Sequence, residues 1–123
     1  MEHMHLKNPL ALAFMGDVVM SLYVREQLLE KDGKVCDLHM QESRRVCARA
    51  QSVRFDEIKE GFDEIEQGIA SRARNAKHNT VPKNCSLHEY RQATALEAVI
   101  GYNWMVGNKE RVMDLVGIRN NEK

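Results

Sequence analysis

Residues 8–24 read NPLALAFMGDVVMSLYV and are the most informative stretch of the 123-residue chain. Pro9 suits a first helical turn, because its missing N–H would have no partner there. The residues that follow are mostly apolar, and Asp17 is the only charged side chain among them. They do not alternate between polar and apolar as a strand would, so they predict a long helix that stops near Asp32-Gly33. Because this helix is so apolar, we expect it to be central in the fold.

Helical signals recur along the rest of the chain, and no strand pattern does. Ser86 and Glu89 have the S-x-x-E spacing of a capping box and predict a long helix through Met105. Asp63 and Glu66 share that spacing and predict a helix through residue 75. Further helices are expected at residues 37–52, 54–60 and 109–116, with a loop at 76–85. The inner face of the 37–52 helix should carry Leu38, Val46, Cys47 and Ala50. The fold class predicted is all-α, a helical bundle.

Length and composition indicate a single domain over residues 1–123, with frayed ends at 1–6 and 118–123. The chain is 43% hydrophobic and 29% charged, which excludes disordered and low-complexity classes. No uncharged run reaches the roughly 20 residues of a membrane span, and no secretory signal is evident. The 3 cysteines are an odd number without C-x-x-C spacing, which favours a reducing, cytoplasmic setting.

The charge is balanced overall but unevenly distributed. Lys and Arg number 18, as do Asp and Glu, so a global positive field for nucleic acid is excluded. Between residues 71 and 96 there are five Lys or Arg and a single acid, Glu89, and residues 44–54 contain four Arg and no acid. The acids cluster at 56–66. Two interpretations stay open: solvated helix faces of alternating sign, or a basic surface for a polyanion.

Two solitary carboxylates fall on the two most apolar predicted helices. Asp17 is the only charged residue between positions 8 and 24, and Glu97 the only one between 92 and 108. Each alone could reach solvent at a helix edge. Together, on the two helices that should form the core, they suggest a shared site, because an unpaired buried carboxylate costs several kcal/mol, roughly, unless it is neutralised. A hard cation such as Mg²⁺ would neutralise them.

Small residues accompany both carboxylates. Gly16 precedes Asp17, and Gly101 lies one helical turn after Glu97. Glycines at these places would allow the close approach either of a second helix backbone or of a substrate, and the sequence does not choose between the two.

At this point the motifs resemble a known family. Residues 10–19, LALAFMGDVV, are similar to the ribonuclease III signature, and residues 94–101, TALEAVIG, resemble that family's second metal motif. Between them, RNAK at 74–77, TVPKN at 80–84 and Tyr90-Arg91 resemble the Mini-ribonuclease III branch. The motifs occur in the family's order over residues 6 to 117.

The resemblance implies a ribonuclease III endonuclease domain that acts as a homodimer without a double-stranded-RNA-binding domain. It implies a Mg²⁺-dependent endoribonuclease that cleaves double-stranded RNA to 5′-phosphate and 3′-hydroxyl products, and in bacteria matures 23S ribosomal RNA precursor. Asp17 and Glu97 would be the catalytic residues and metal ligands. The RNA-binding residues would be Arg72, Arg74, Lys77, Thr80, Lys83, Asn84, His88 and Arg91, with Arg44 and Arg45 beside them.

The sequence departs from the family's pattern at several positions. Ala13 and Thr94 stand where full-length ribonuclease III has two further carboxylates, losses that the Mini branch shares. Val18 and Ser21 replace the commoner Ala and Glu, and His78-Asn79 replaces Ser-Gly.

Two other functions remain open from the sequence. One is a non-catalytic helical module that binds double-stranded RNA. The other is an all-helical nucleotide pyrophosphohydrolase, a class that needs Glu-x-x-Glu pairs on core helices. Glu57/Glu60 and Asp63/Glu66 have that spacing, but we expect this polar segment to be solvated.

Overall fold

The structure, a computed structural model, describes residues 3–30, 33–77 and 80–117. Within these ranges it contains six α-helices, two short 3₁₀ turns and no β-strand, so the all-α prediction is confirmed. The helices are α1 (Pro9–Leu28), α2 (Val35–Val46), α3 (Ala48–Ile58), α4 (Glu64–Asn75), α5 (Leu87–Met105) and α6 (Lys109–Val116), with 3₁₀ turns at Met4–Leu6 and Lys59–Gly61. The departure at His78-Asn79 and the C-terminal end at 118–123 lie outside the described residues.

The central element of the bundle is α5, which contacts α1, α3, α4 and α6. Apart from Glu97, its middle is apolar, and the apolar residues there are fully buried: Ala95, Leu96, Ala98, Val99 and Ile100. The first helix also belongs to the core, as expected, since it contacts α2, α4, α5 and α6. Its buried face packs along α5, whereas Phe14 and Val18 on the opposite face are 77% and 58% exposed.

Two glycines set the distance between α1 and α5. A Cβ atom built on Gly16 would overlap the backbone carbonyl of Glu97, and one built on Gly101 would overlap the carbonyl oxygen of Leu12. The two backbones are therefore in direct contact at this crossing. Of the two interpretations that the sequence left open, close helix packing is the one the structure adopts.

The predicted helix over residues 37–52 is interrupted. Cys47 has extended backbone angles (φ −67°, ψ 161°), so α2 ends at Val46 and α3 begins at Ala48. The side-chain amide of Gln51 donates to the Val46 carbonyl oxygen at 2.7 Å and so caps the end of α2. Cys47 itself is exposed, which corrects its expected place on the inner face.

Both predicted capping boxes are confirmed. Asp63 accepts from the Glu66 N–H while Glu66 accepts from the Asp63 N–H, and Ser86 and Glu89 pair in the same way. Glu66 is not solvated as expected, however. It is 2% exposed, and its carboxylate accepts hydrogen bonds from Arg111 and from Asn103. Glu66 is therefore a hydrogen-bonded part of the core.

Part of the N-terminal segment is attached to the helical bundle by a hydrogen bond. The Arg72 guanidinium donates to the backbone carbonyl oxygen of His5, which joins the Met4–Leu6 turn to α4. Across the part of the chain that the structure describes, no helix is long and apolar enough to cross a membrane.

Candidate metal centre

The candidate site is an open depression of about 550 Å³ where α1 and α5 meet the segment that precedes α5. Helix α5 contributes Tyr90, Thr94 and Glu97 to its lining, and the segment between α4 and α5 contributes Lys77 and Thr80. Helix α1 contributes the remaining residues, Leu10, Ala13, Phe14 and Asp17. The depression therefore combines two carboxylates, one ammonium group and three hydroxyl groups.

The structure brings Asp17 and Glu97 together, although 80 positions separate them in the sequence. Asp17 is exposed, whereas Glu97 lies deeper between the helices. The pKa of Glu97 is raised to about 8, mainly by burial and also by the nearby Asp17 carboxylate within hydrogen-bonding reach, against the opposing hydrogen bond that Gln51 donates. A cation placed beside such a carboxyl group stabilises its ionised form and so lowers its pKa.

Gln51 is the residue of this site that sequence reasoning missed. Its Nε2 donates to Glu97 Oε2 at 3.1 Å from helix α3. A glutamine near the end of a predicted helix carries no motif, and only its position on the inward face of α3 would have drawn attention to it.

The donor set fits a hard divalent cation. Asp17 and Glu97 supply carboxylate oxygens, and no cationic side chain is among the interactions that set the pKa of Glu97. Within residues 3–30, 33–77 and 80–117, no group of three or more His, Cys, Asp or Glu side chains could hold a metal. Mg²⁺ suits such a pair, because it commonly takes one or two carboxylates and fills its other positions with water and phosphate oxygens.

The predicted RNA-binding residues fall into three groups. Lys77 and Thr80 line the depression beside the carboxylates. Lys83, Asn84, His88 and Arg91 are exposed on the loop before α5 and on its first turns.

The remaining Arg residues lie elsewhere. The Arg74 guanidinium stacks over the Phe55 ring at 5.8 Å, and Arg72 donates to His5. Arg44 and Arg45 line a separate pocket of about 270 Å³. Of the predicted set, Lys77 and Thr80 therefore lie beside the carboxylates. The four residues Arg44, Arg45, Arg72 and Arg74 lie outside the depression.

Comparisons with known proteins identify the family to which this chain is similar. The Ribonuclease III domain family matches residues 10–108. A Mini-ribonuclease 3 of Thermoanaerobacter sp. (strain X514) is 39% identical over 89% of this chain and 78% of its own length. One of Staphylococcus aureus is 38% identical over 94% of this chain and 88% of its own. A crystal structure of a Fusobacterium nucleatum protein superimposes with a TM-score of 0.85 at 32% identity, covering 90% of this chain and 89% of that one.

The fold and the carboxylate pair thus define an all-helical protein with a candidate cation site at a helix crossing. The chain belongs to the ribonuclease III family, in its Mini-ribonuclease III branch, as its motifs predicted. It is accordingly an endoribonuclease of the ribonuclease III type.

Proposed function

We propose that this endoribonuclease cleaves double-stranded RNA by Mg²⁺-assisted hydrolysis, with Asp17 and Glu97 as catalytic residues and metal ligands. The observation that carries the proposal is the convergence of these two carboxylates in an open depression that also presents Lys77 and Thr80. An enclosed site would suit a small molecule, whereas this one is accessible to a polymer.

The chemistry follows from the groups that line the depression. Mg²⁺, when bound, lowers the pKa of a water and offsets the charge that builds on a phosphate. Asp17 and Glu97 would hold the ion, and Gln51 donates a hydrogen bond to Glu97. Lys77 offers a positive charge to a phosphate, and Thr80 a hydroxyl group. The expected products carry a 5′-phosphate and a 3′-hydroxyl group.

The surface chemistry favours a duplex over a single strand. A-form RNA is recognised largely through its phosphates and 2′-hydroxyl groups, for which Lys, Arg, Asn and Thr suffice. The exposed residues in and near the depression are of these types, namely Lys77, Thr80, Lys83, Asn84 and Arg91, with His88 beside them. Single-strand binding would instead call for several aromatic side chains, and the lining contains two, Phe14 and Tyr90.

We further propose that the protein works as a homodimer. Phe14, Val18 and Leu22 repeat every four residues on one face of α1 and are 77%, 58% and 44% exposed. A stripe of this kind on a soluble helix indicates a protein contact. A second copy would bring a second basic surface to a chain of zero net charge. Analytical ultracentrifugation tests this: Val18→Asp should dissociate the dimer, and a monomeric wild type would contradict it.

The natural substrate and setting that we propose are 23S ribosomal RNA precursor and the cytoplasm. The similarity to Mini-ribonuclease 3 proteins supports the first. The second is supported by three free thiols, two of them exposed, since such thiols persist in a reducing compartment.

Incubation of the protein with an end-labelled RNA duplex and Mg²⁺ tests the proposed function. Wild-type protein should cleave both strands, and Asp17→Asn and Glu97→Gln should each lower the rate by about 10³-fold or more, since each removes a carboxylate from the metal. Glu57→Gln is the matched control and should cleave normally. Binding of the duplex without cleavage would favour the non-catalytic module. Hydrolysis of nucleoside triphosphates that is lost in Glu57→Gln would favour the pyrophosphohydrolase.

A further inference from the structure

Gln51 is a buried polar residue that joins the end of α2 to the candidate metal centre. Its side chain is 3% exposed, and its Nε2 donates both to the Val46 carbonyl oxygen at 2.7 Å and to Glu97 Oε2 at 3.1 Å. Both partners are acceptors, so they fix which end of the amide faces them. A rotated amide would place its oxygen against a carbonyl and a carboxylate.

This orientation leaves Oε1 of Gln51 buried without a hydrogen-bond partner among the described residues. A buried, unpaired carbonyl oxygen costs stability. A methionine or leucine would fill similar space without that cost. The amide nevertheless caps the end of α2 at Val46, and its one contact with the site is the donation to Glu97.

We infer that Gln51 is a positioning residue for the metal centre: its amide holds one oxygen of Glu97 and so fixes the direction in which the carboxylate faces the cation. This inference rests on the proposed role of Glu97 as a metal ligand. The amide is itself anchored to the end of α2, so the break at Cys47 and the orientation of Glu97 are linked through one side chain. Partners of metal-bound carboxylates act in this way in general, and their loss weakens metal affinity by about 10- to 100-fold.

Mn²⁺ binding, followed by electron paramagnetic resonance, tests the inference without requiring activity. Gln51→Met keeps the volume of the side chain and removes the donor, so it should weaken Mn²⁺ binding about 10-fold. Gln27→Met is the matched control, because Gln27 also has a buried Oε1 without a partner and lies about 15 Å along α1 from Asp17. It should bind Mn²⁺ as the wild type does. Urea unfolding of all variants should show folded proteins, and Gln51→Leu serves as a second apolar variant.

The double variant separates positioning from a general structural effect. In the Glu97→Gln background, Gln51→Met should weaken Mn²⁺ binding no further, because the carboxylate that it positions is gone. Equal Mn²⁺ affinity in Gln51→Met and wild type would overturn the inference, and so would an undiminished effect in the Glu97→Gln background. If Glu97→Gln alone binds Mn²⁺ as tightly as wild type, the proposed metal role of Glu97 is wrong and the inference falls with it.

Discussion

Gly16 of α1 lies directly against the backbone carbonyl of Glu97 on α5. The residue that follows Gly16 is Asp17, so the closest point of the helix crossing is also the place where the two carboxylates meet. The packing of the core and the placement of the candidate metal ligands are therefore one structural feature. Any residue larger than glycine at position 16 would separate both the helices and the acids.

We expect Gly16→Ala to destabilise the protein by about 3 kcal/mol or more, because the added methyl group would overlap backbone atoms of α5 that have no room to move. Urea unfolding followed by circular dichroism measures the effect. Gly68→Ala, also within a helix, is the control. Its Cβ atom would meet only the end of Arg72 at 3.6 Å, so this variant should be more stable by about 0.5–1 kcal/mol. Equal effects of the two substitutions would contradict the proposed crossing.

Much of this architecture could be predicted because its signals are local. Pro9 and the boxes at Asp63 and Ser86 act within one helical turn, so the starts of α1, α4 and α5 could be read from the sequence. The pairing of Asp17 with Glu97 could be predicted because each stands alone in an apolar helix, and two unneutralised buried charges favour a common site.

The features that were missed depend on distant partners. The break at Cys47 contains neither Pro nor Gly, and the hydrogen bond from Gln51 to Val46 that accompanies it is not encoded by any propensity. In the sequence Glu66 resembles a solvated acid. In the fold it pairs with Arg111, which lies 45 positions away. Arg74 belongs to a family motif, yet it stacks on Phe55 rather than lining the depression. Such contacts appear only once the helices are assembled.

The buried ion pair between Glu66 and Arg111 should be a main source of stability. Burial alone would raise the pKa of Glu66, but hydrogen bonds from Arg111, from the Asp63 N–H and from Asn103 outweigh it and lower the pKa below its usual value. Arg111→Met should cost about 3–5 kcal/mol at pH 7, because it leaves a buried carboxylate unpaired. Lys59→Met, which removes an exposed pair with Asp56, should cost no more than about 1 kcal/mol.

The pH dependence of that cost follows from the sign of the shift. A carboxyl group with a lowered pKa in the folded state stabilises the protein above its unfolded pKa, and this stability is lost as the pH falls through the folded value. The difference between wild type and Arg111→Met should therefore shrink in acid. Urea unfolding at pH 7 and pH 3 measures it, and a difference that grows in acid would refute the pairing.

Glu97 should give the opposite pH dependence. Its pKa is raised from 4.5 to about 8 by burial and by Asp17, so between these values the folded protein binds more protons than the unfolded chain. Without metal, stability should fall as the pH rises from about 5 to 8. Glu97→Gln should lack this decline, whereas Glu60→Gln, an exposed acid on the Lys59–Gly61 turn, should keep it. Thermal unfolding across this pH range, in the presence of a chelator, provides the test; the same slope in wild type and Glu97→Gln would contradict the assignment.

The basic residues at and near the depression should govern how salt affects RNA binding. The double variant Lys77→Ala and Lys83→Ala should weaken duplex binding and lower the slope of log affinity against log salt by about 1–2, since each phosphate contact contributes roughly 0.9. Lys109→Ala, whose ammonium group lies over the Trp104 ring on the opposite end of α5, should leave the slope unchanged. Fluorescence anisotropy with a labelled duplex at several salt concentrations measures both. An unaltered slope in the double variant would exclude Lys77 and Lys83 from the RNA interface.

The central claim is that Asp17 and Glu97 hold one cation between them, and anomalous diffraction from crystals grown with Mn²⁺ tests it most directly. We expect a single strong peak in each depression, about 2–2.2 Å from an oxygen of each carboxylate, and its loss in crystals of Glu97→Gln. A peak bound elsewhere, such as at Glu57 and Glu60, with none between Asp17 and Glu97, would contradict the account.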